Sequence, residues 1–143
     1  MSYETITCER EGPLAIITLR RPERLNALNV QMVADLRQAI GKIQKDDSVR
    51  VVILTGGMDS KKRPCFCAGA DMKEAPLPDT FLPDLNNLIN RIEDLGKATI
   101  AAIDGVCTAG GLELAMCFDL RVAAETARIG DLHLKNLGVG LGG

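Results

Sequence analysis

The chain has 143 residues, about one domain's worth, and its 46% hydrophobic and 25% charged residues are ordinary for a folded soluble protein and exclude a disordered one. Lys plus Arg total 17 against 19 Asp plus Glu, and there is one tyrosine, three phenylalanines and no tryptophan. A net charge of −2 with so few rings excludes a dedicated nucleic-acid surface, and no apolar run is long enough to span a bilayer.

Tyr3 to Arg10 and Leu14 to Arg20 read as two strands of an antiparallel hairpin turning at Gly12-Pro13. Arg21-Pro22 ends the second strand, and a polar loop follows through Asn26. Asn29 is the expected N-cap of a helix beginning near Val30, in which Val33, Leu36, Ile40 and Ile43 form one apolar stripe. That helix runs out at Asp46-Asp47. Val49 to Thr55 (VRVVILT) is a β-branched run of the kind covered on both faces of a sheet, and Gly56-Gly57 stops it.

Met58 to Pro64 reads as a charged loop. A second amphipathic helix is predicted over Asp79 to Leu95, with Pro83 tolerated near its start and Gly96 just past its end. Thr99 to Ile103 is a third core strand, Gly105 a turn, Leu112 to Phe118 a short buried helix and Leu120 to Ala124 another strand. The chain closes on a glycine-rich stretch from Gly130 to Gly143. Strands alternating with helices give an α/β fold, with no linker and no domain boundary across residues 1–143.

The N-terminal MSYETITCER lacks a basic segment followed by an apolar one, so no secretory signal is expected. Five scattered cysteines (Cys8, Cys65, Cys67, Cys107 and Cys117) read as reduced thiols in a cytoplasm rather than a disulfide framework. Cys65-Phe66-Cys67 is too tightly spaced for a zinc knuckle and has no second pair behind it, so no metal is expected.

Two glycine-bearing strand exits carry the chemistry. Cys67-Ala68-Gly69-Ala70-Asp71 follows the Val49 strand and its loop. Ala109-Gly110-Gly111-Leu112-Glu113 follows the Thr99 strand and opens a helix. Small residues leave backbone amides uncovered, and two such amides converging on one point make an oxyanion hole. Glu113, three residues after Gly110, falls on the same helix face, where a carboxylate can move a proton beside an activated carbonyl. Leu112, Leu114 and Met116 are expected to bury it. Tight helix–strand packing for Gly110-Gly111 and a first-turn carboxylate for Glu113 fit the spacing equally well.

Four stretches taken together resemble the crotonase (enoyl-CoA hydratase/isomerase) superfamily: LAIITLRRPERLNAL, VVILTGG, CFCAGADMKE and IAAIDGVCTAGGLELAMCFDLRVAAETARIG. They occur in the family's order; Phe118 departs from its usual small residue. The resemblance implies a core of repeated ββα units, cut off before the family's C-terminal helices. It also implies an acyl-coenzyme A thioester as substrate, with no separate cofactor and no metal, and a homotrimer or a hexamer of two trimers. By that likeness the amides of Ala70 and Gly110 are the oxyanion donors and Glu113 the first catalytic carboxylate. Coenzyme A would then lie along Arg24, Leu25 and Ala27 and along Ala68, Gly69 and Asp71, with Lys73 a phosphate contact.

His133 stands where the family's hydratases carry a second glutamate, and Asp131, two residues before it, is expected either to orient its ring or, if the segment is extended, to act itself. Lys61-Lys62-Arg63 reads as a solvated loop, or as charge that draws in the phosphates of coenzyme A. The expected reaction is hydration of a 2-enoyl-CoA. Double-bond isomerisation, thioester hydrolysis and a non-catalytic truncated homologue are the alternatives.

Overall fold

A computed structural model describes residues 2–58, 61, 63–74 and 76–132. The hairpin forms as predicted: β1 (Ile6–Glu11) pairs antiparallel with β2 (Leu14–Leu19) around Gly12-Pro13. A 3₁₀ turn over Pro22–Arg24 leads to α1 (Val30–Gln44), whose first turn is capped by the Asn29 side chain accepting the Met32 amide at 2.9 Å. The stripe expected for α1 is buried, with Met32 and Ala39 added to it. β3 (Val51–Gly56), β4 (Cys65–Cys67) and α2 (Phe81–Glu93) follow. Then come β5 (Ala98–Ile103), β6 (Val106–Thr108) and α3 (Gly110–Met116), and after them β7 (Leu120–Ala123) and β8 (Arg128–Gly130).

The odd-numbered strands join β2 in a five-stranded sheet of order β1-β2-β3-β5-β7, parallel from β2 onward. The short even-numbered strands make a second, parallel sheet of order β4-β6-β8. After β1-β2-α1, the units β3-β4-α2 and β5-β6-α3 each add one strand to each sheet and then a helix, which is the mixed α/β architecture implied by the resemblance. The apolar faces of α1 and α2 (Leu36, Ile40, Phe81, Leu88) and the inward residues of the larger sheet (Ile17, Leu19, Val52, Leu54, Ala101) form one core.

The sequence reading needs correction in three places. β4, β6 and β8 are three-residue strands whose segments read as loop or turn, because periodicity has nothing to repeat over so short a run. In β3, Val52 and Leu54 are fully buried but Val51 and Ile53 only half-buried, so the two faces are covered unequally. The helix predicted from Leu112 begins two residues earlier, at Gly110, so both glycines lie inside its first turn. β7 forms where a strand was predicted, with all four of its residues exposed. Among the described residues no helix is long and apolar enough to cross a membrane.

Candidate active site

The two strand exits meet. Gly69 has φ +101°, and a Cβ there would lie 2.9 Å from the Ala109 methyl and 3.1 Å from the Gly110 nitrogen, so only glycine admits this approach. Gly111 is needed for a different reason. A Cβ on it would stand 2.2 Å from the Cys67 carbonyl oxygen, so α3 starts directly on the end of β4. Ala109, between β6 and α3, is held at φ +51°, a conformation alanine rarely takes.

Backbone hydrogen bonding then decides which amides stay open. Leu28 and Ala70 form an isolated parallel bridge, in which the Leu28 amide donates to the Gly69 carbonyl (2.7 Å) and the Asp71 amide to the Leu28 carbonyl (2.8 Å). Because the residues on either side of Ala70 use the groups that face Leu28, the Ala70 amide points the other way, toward α3. In the first turn of α3 the Leu112 and Glu113 amides both donate to Ala109. Neither the Ala70 nor the Gly110 amide has a protein acceptor among the described residues.

The open side of Gly110 locates the carboxylate. The point where a Gly110 Cβ would sit is 3.6 Å from the Ala70 nitrogen and 3.7 Å from Oε2 of Glu113. Two amides with no acceptor among the described residues thus border one small space together with a carboxylate. This is the arrangement for polarising a carbonyl oxygen while moving a proton at a neighbouring atom. Glu113 is half-buried rather than enclosed: Leu114 is buried, Leu112 half-buried and Met116 56% exposed. Helical spacing explains the difference from expectation, since Met116 shares the open face of Gly110 and Glu113 while Leu114 and Ala115 turn to the core.

A sequence profile of the enoyl-CoA hydratase/isomerase family matches residues 9–141. The chain belongs to that family. It is 39% identical over 148 aligned residues to a probable enoyl-CoA hydratase of Mycobacterium bovis, covering all of this chain and 55% of that protein. It is 37% identical over 150 residues to a short-chain-enoyl-CoA hydratase of Clostridium acetobutylicum, covering all of this chain and 56% of the relative. A crystal structure of an enoyl-CoA hydratase from Bacillus anthracis superposes with a TM-score of 0.88 at 29% identity, over 96% of this chain and 54% of that one. The chain spans about half the length of the curated relatives it matches.

Within this enoyl-CoA hydratase/isomerase fold, the residues expected along coenzyme A lie on two adjacent segments. Ala68, Gly69 and Asp71 run beside Leu25 and Leu28 through three backbone bonds, the third from the Ala68 amide to the Leu25 carbonyl at 3.0 Å. Ala27 is buried and Leu25 is 44% exposed. The Asp71 carboxylate, however, is not open to a ligand. Arg24 holds it through Nε (3.2 Å) and Nη2 (2.8 Å), Arg21 through Nη2 (2.9 Å), and the Lys73 amide donates to it at 3.1 Å. Burial pushes this carboxyl upward, but the hydrogen bonds from Arg24 and Arg21 outweigh it and hold Asp71 below the usual carboxylate range. The same hydrogen bond raises the Arg24 guanidinium.

Sequence reasoning missed Arg21. Its side chain, only 11% exposed, also donates from Nη1 to the Ala27 carbonyl at 2.6 Å and from Nη2 to Glu74 at 2.8 Å. The available signal was two arginines before Pro22 in a chain with an acidic pair, Asp71 and Glu74, at its first glycine-bearing strand exit. Lys61 and Arg63 are exposed, as a solvated loop requires. His133 lies outside the described residues, so its expected partnership with Glu113 rests on sequence alone.

Proposed function

We propose that this chain supplies the oxyanion hole and first catalytic carboxylate of an enzyme that adds water across the double bond of a 2-enoyl-CoA. The observation that carries this reading is the shared space bordered by the Ala70 amide, Gly110 and Glu113 Oε2. The thioester oxygen accepts hydrogen bonds from the Ala70 and Gly110 amides and takes up negative charge as the enolate forms. Glu113 holds the water and transfers its proton, with His133 as the second proton-transfer residue. Arg24, Leu25, Ala27, Ala68 and Gly69 line the coenzyme A path, Lys73 meets a phosphate, and Asp71 serves that path by fixing Arg24. The working protein is a cytoplasmic homotrimer or hexamer with acyl-CoA as its small-molecule partner. Family membership and the hydratase names of the relatives support this reading.

Isomerisation of a 3-enoyl-CoA is the second reading. It is favoured by one observation, a single catalytic glutamate with histidine at the second position. Glu113→Gln keeps shape and hydrogen bonding but cannot exchange the proton, so turnover of crotonyl-CoA, followed by loss of its conjugated absorbance, should fall about 10²–10⁴-fold while acyl-CoA still binds. Parent-level turnover in that variant would remove Glu113 from the mechanism. No hydration by the parent, together with conversion of a 3-enoyl-CoA, would select the isomerase.

A further inference from the structure

We propose that Arg21 is a positioning residue for the oxyanion hole, setting the Ala70 amide by tying together the two segments that bridge beside it; this rests on the oxyanion reading of Ala70. The Leu28–Ala70 bridge is isolated from both sheets, with the Ala68–Leu25 backbone bond beside it. One guanidinium spans it. Nη1 grips the carbonyl of Ala27, next to Leu28, and Nη2 grips the carboxylate of Asp71, next to Ala70. The arginine is itself fixed: its amide donates to Asn26 Oδ1 at 2.8 Å, and Asn26 Nδ2 donates to the Cys65 carbonyl at 2.8 Å. Glu74 closes the outer side, accepting from Arg21 and, through both oxygens, from Asn29 at 3.0 Å.

The bridged loop is one that would otherwise relax, since Leu25 and Asn26 both stand at positive φ (52° and 50°). Arg24 ties the segments less directly. Its side chain holds Asp71 but reaches the Leu28 side only through its own backbone, whose carbonyl accepts the Ala27 amide at 3.0 Å. Removing Arg21 therefore leaves Asp71 ion-paired through Arg24, while the Ala27–Asp71 link across the bridge is lost. A planar fork with donors on two sides meets this geometry, and a single ammonium does not.

The test compares Arg21→Met and Arg21→Lys with the parent and with Arg10→Met, which breaks only surface bonds, those to Asp46, the Gly12 carbonyl and Ser48. Amide hydrogen exchange at Leu28 and Asp71 should be at least about tenfold faster in Arg21→Met, intermediate in Arg21→Lys, and unchanged in β1 and β2. Bound butyryl-CoA should keep its affinity, but the red shift of its thioester carbonyl stretch should shrink, and kcat for crotonyl-CoA should fall about 10–100-fold with KM little altered. Arg21→Lys carries the test if Arg21→Met fails to fold. Parent-like exchange at Leu28 and Asp71, or a rise spread evenly over all amides, would overturn the proposal. If the parent itself shifts no carbonyl, the oxyanion reading falls instead, and selective exchange at Leu28 and Asp71 alone decides whether Arg21 clamps the bridge.

Discussion

Gly110 and Gly111 are adjacent, yet the structure assigns opposite outcomes to a methyl group on each. At Gly110 the added carbon would meet its nearest neighbours at 3.5, 3.6 and 3.7 Å, all ordinary van der Waals distances, in a helical backbone that suits alanine. Gly110→Ala should fold normally and gain about 0.4–1 kcal/mol by restricting the unfolded chain. That methyl nevertheless stands between the Ala70 amide and the Glu113 carboxylate, in the volume that the proposed reaction assigns to the reacting carbons. Displacing them by even about 1 Å costs on the order of 10²-fold, close to 2.7 kcal/mol of barrier at about 1.36 kcal/mol per factor of ten. At Gly111 the carbon would lie 2.2 Å from the Cys67 carbonyl oxygen and 2.7 Å from its carbon, and neither backbone atom is a flexible end that can swing away. Gly111→Ala must lift α3 off β4 and should lose about 1–3 kcal/mol. Urea unfolding and crotonyl-CoA turnover, measured on both variants, separate the effects. A fully active Gly110→Ala, or a Gly111→Ala as stable as the parent, would refute the reasoning.

Acid should destabilise the fold through its clamped carboxylates. Asp35 is opposed by burial but held below its usual pKa by the Thr5 amide and hydroxyl and by Gln31, and Asp71 is held down by its arginines. The unfolded chain then binds more protons, so this stability is complete above an unfolded pKa of about 3.9 and is lost as pH falls through the lower folded values. Urea midpoints between about pH 2 and 6 should rise with pH, and less steeply in Asp35→Asn; equal slopes would count against the assignment. Burial pushes the thiols of Cys67 and Cys117 to about 12 and that of Cys107 to about 11, so iodoacetamide near neutral pH should leave all three unmodified until the chain unfolds. Half-buried Cys8 should be alkylated before them, and mass spectrometry of native digests that found Cys67 labelled first would contradict this.

The long elements were legible because each carries a period. Leu36 and Ile40 announce α1, Leu85 and Ile92 announce α2, and Asn29 caps where its side chain can reach an open amide. Ala70, Gly110 and Glu113 were legible as small or acidic residues at strand exits. Their convergence was legible only through the family resemblance, because it depends on β4 and β6, three-residue strands with no pattern to detect, and on a single bridged pair at Leu28 and Ala70. Arg21 was hidden for a related reason. Its partners at Ala27, Asp71 and Glu74 are a carbonyl that no sequence displays and two carboxylates distant along the chain. The burial of Glu113 was overestimated because neighbours in sequence were counted instead of neighbours on the helix face.

The contact between Ala109 and Gly69 makes these two positions a single unit of inheritance. Position 69 is closed to side chains twice, by its own φ and by the methyl opposite it. Position 109 would relax as glycine, but that change would take away the methyl that abuts Gly69 and stiffens the turn leading to Gly110. Substitutions here cannot accumulate independently, because the effect of either depends on which residue already occupies the other. Drift along this lineage is therefore confined to paths on which position 69 stays glycine and position 109 varies only within the space that glycine leaves it.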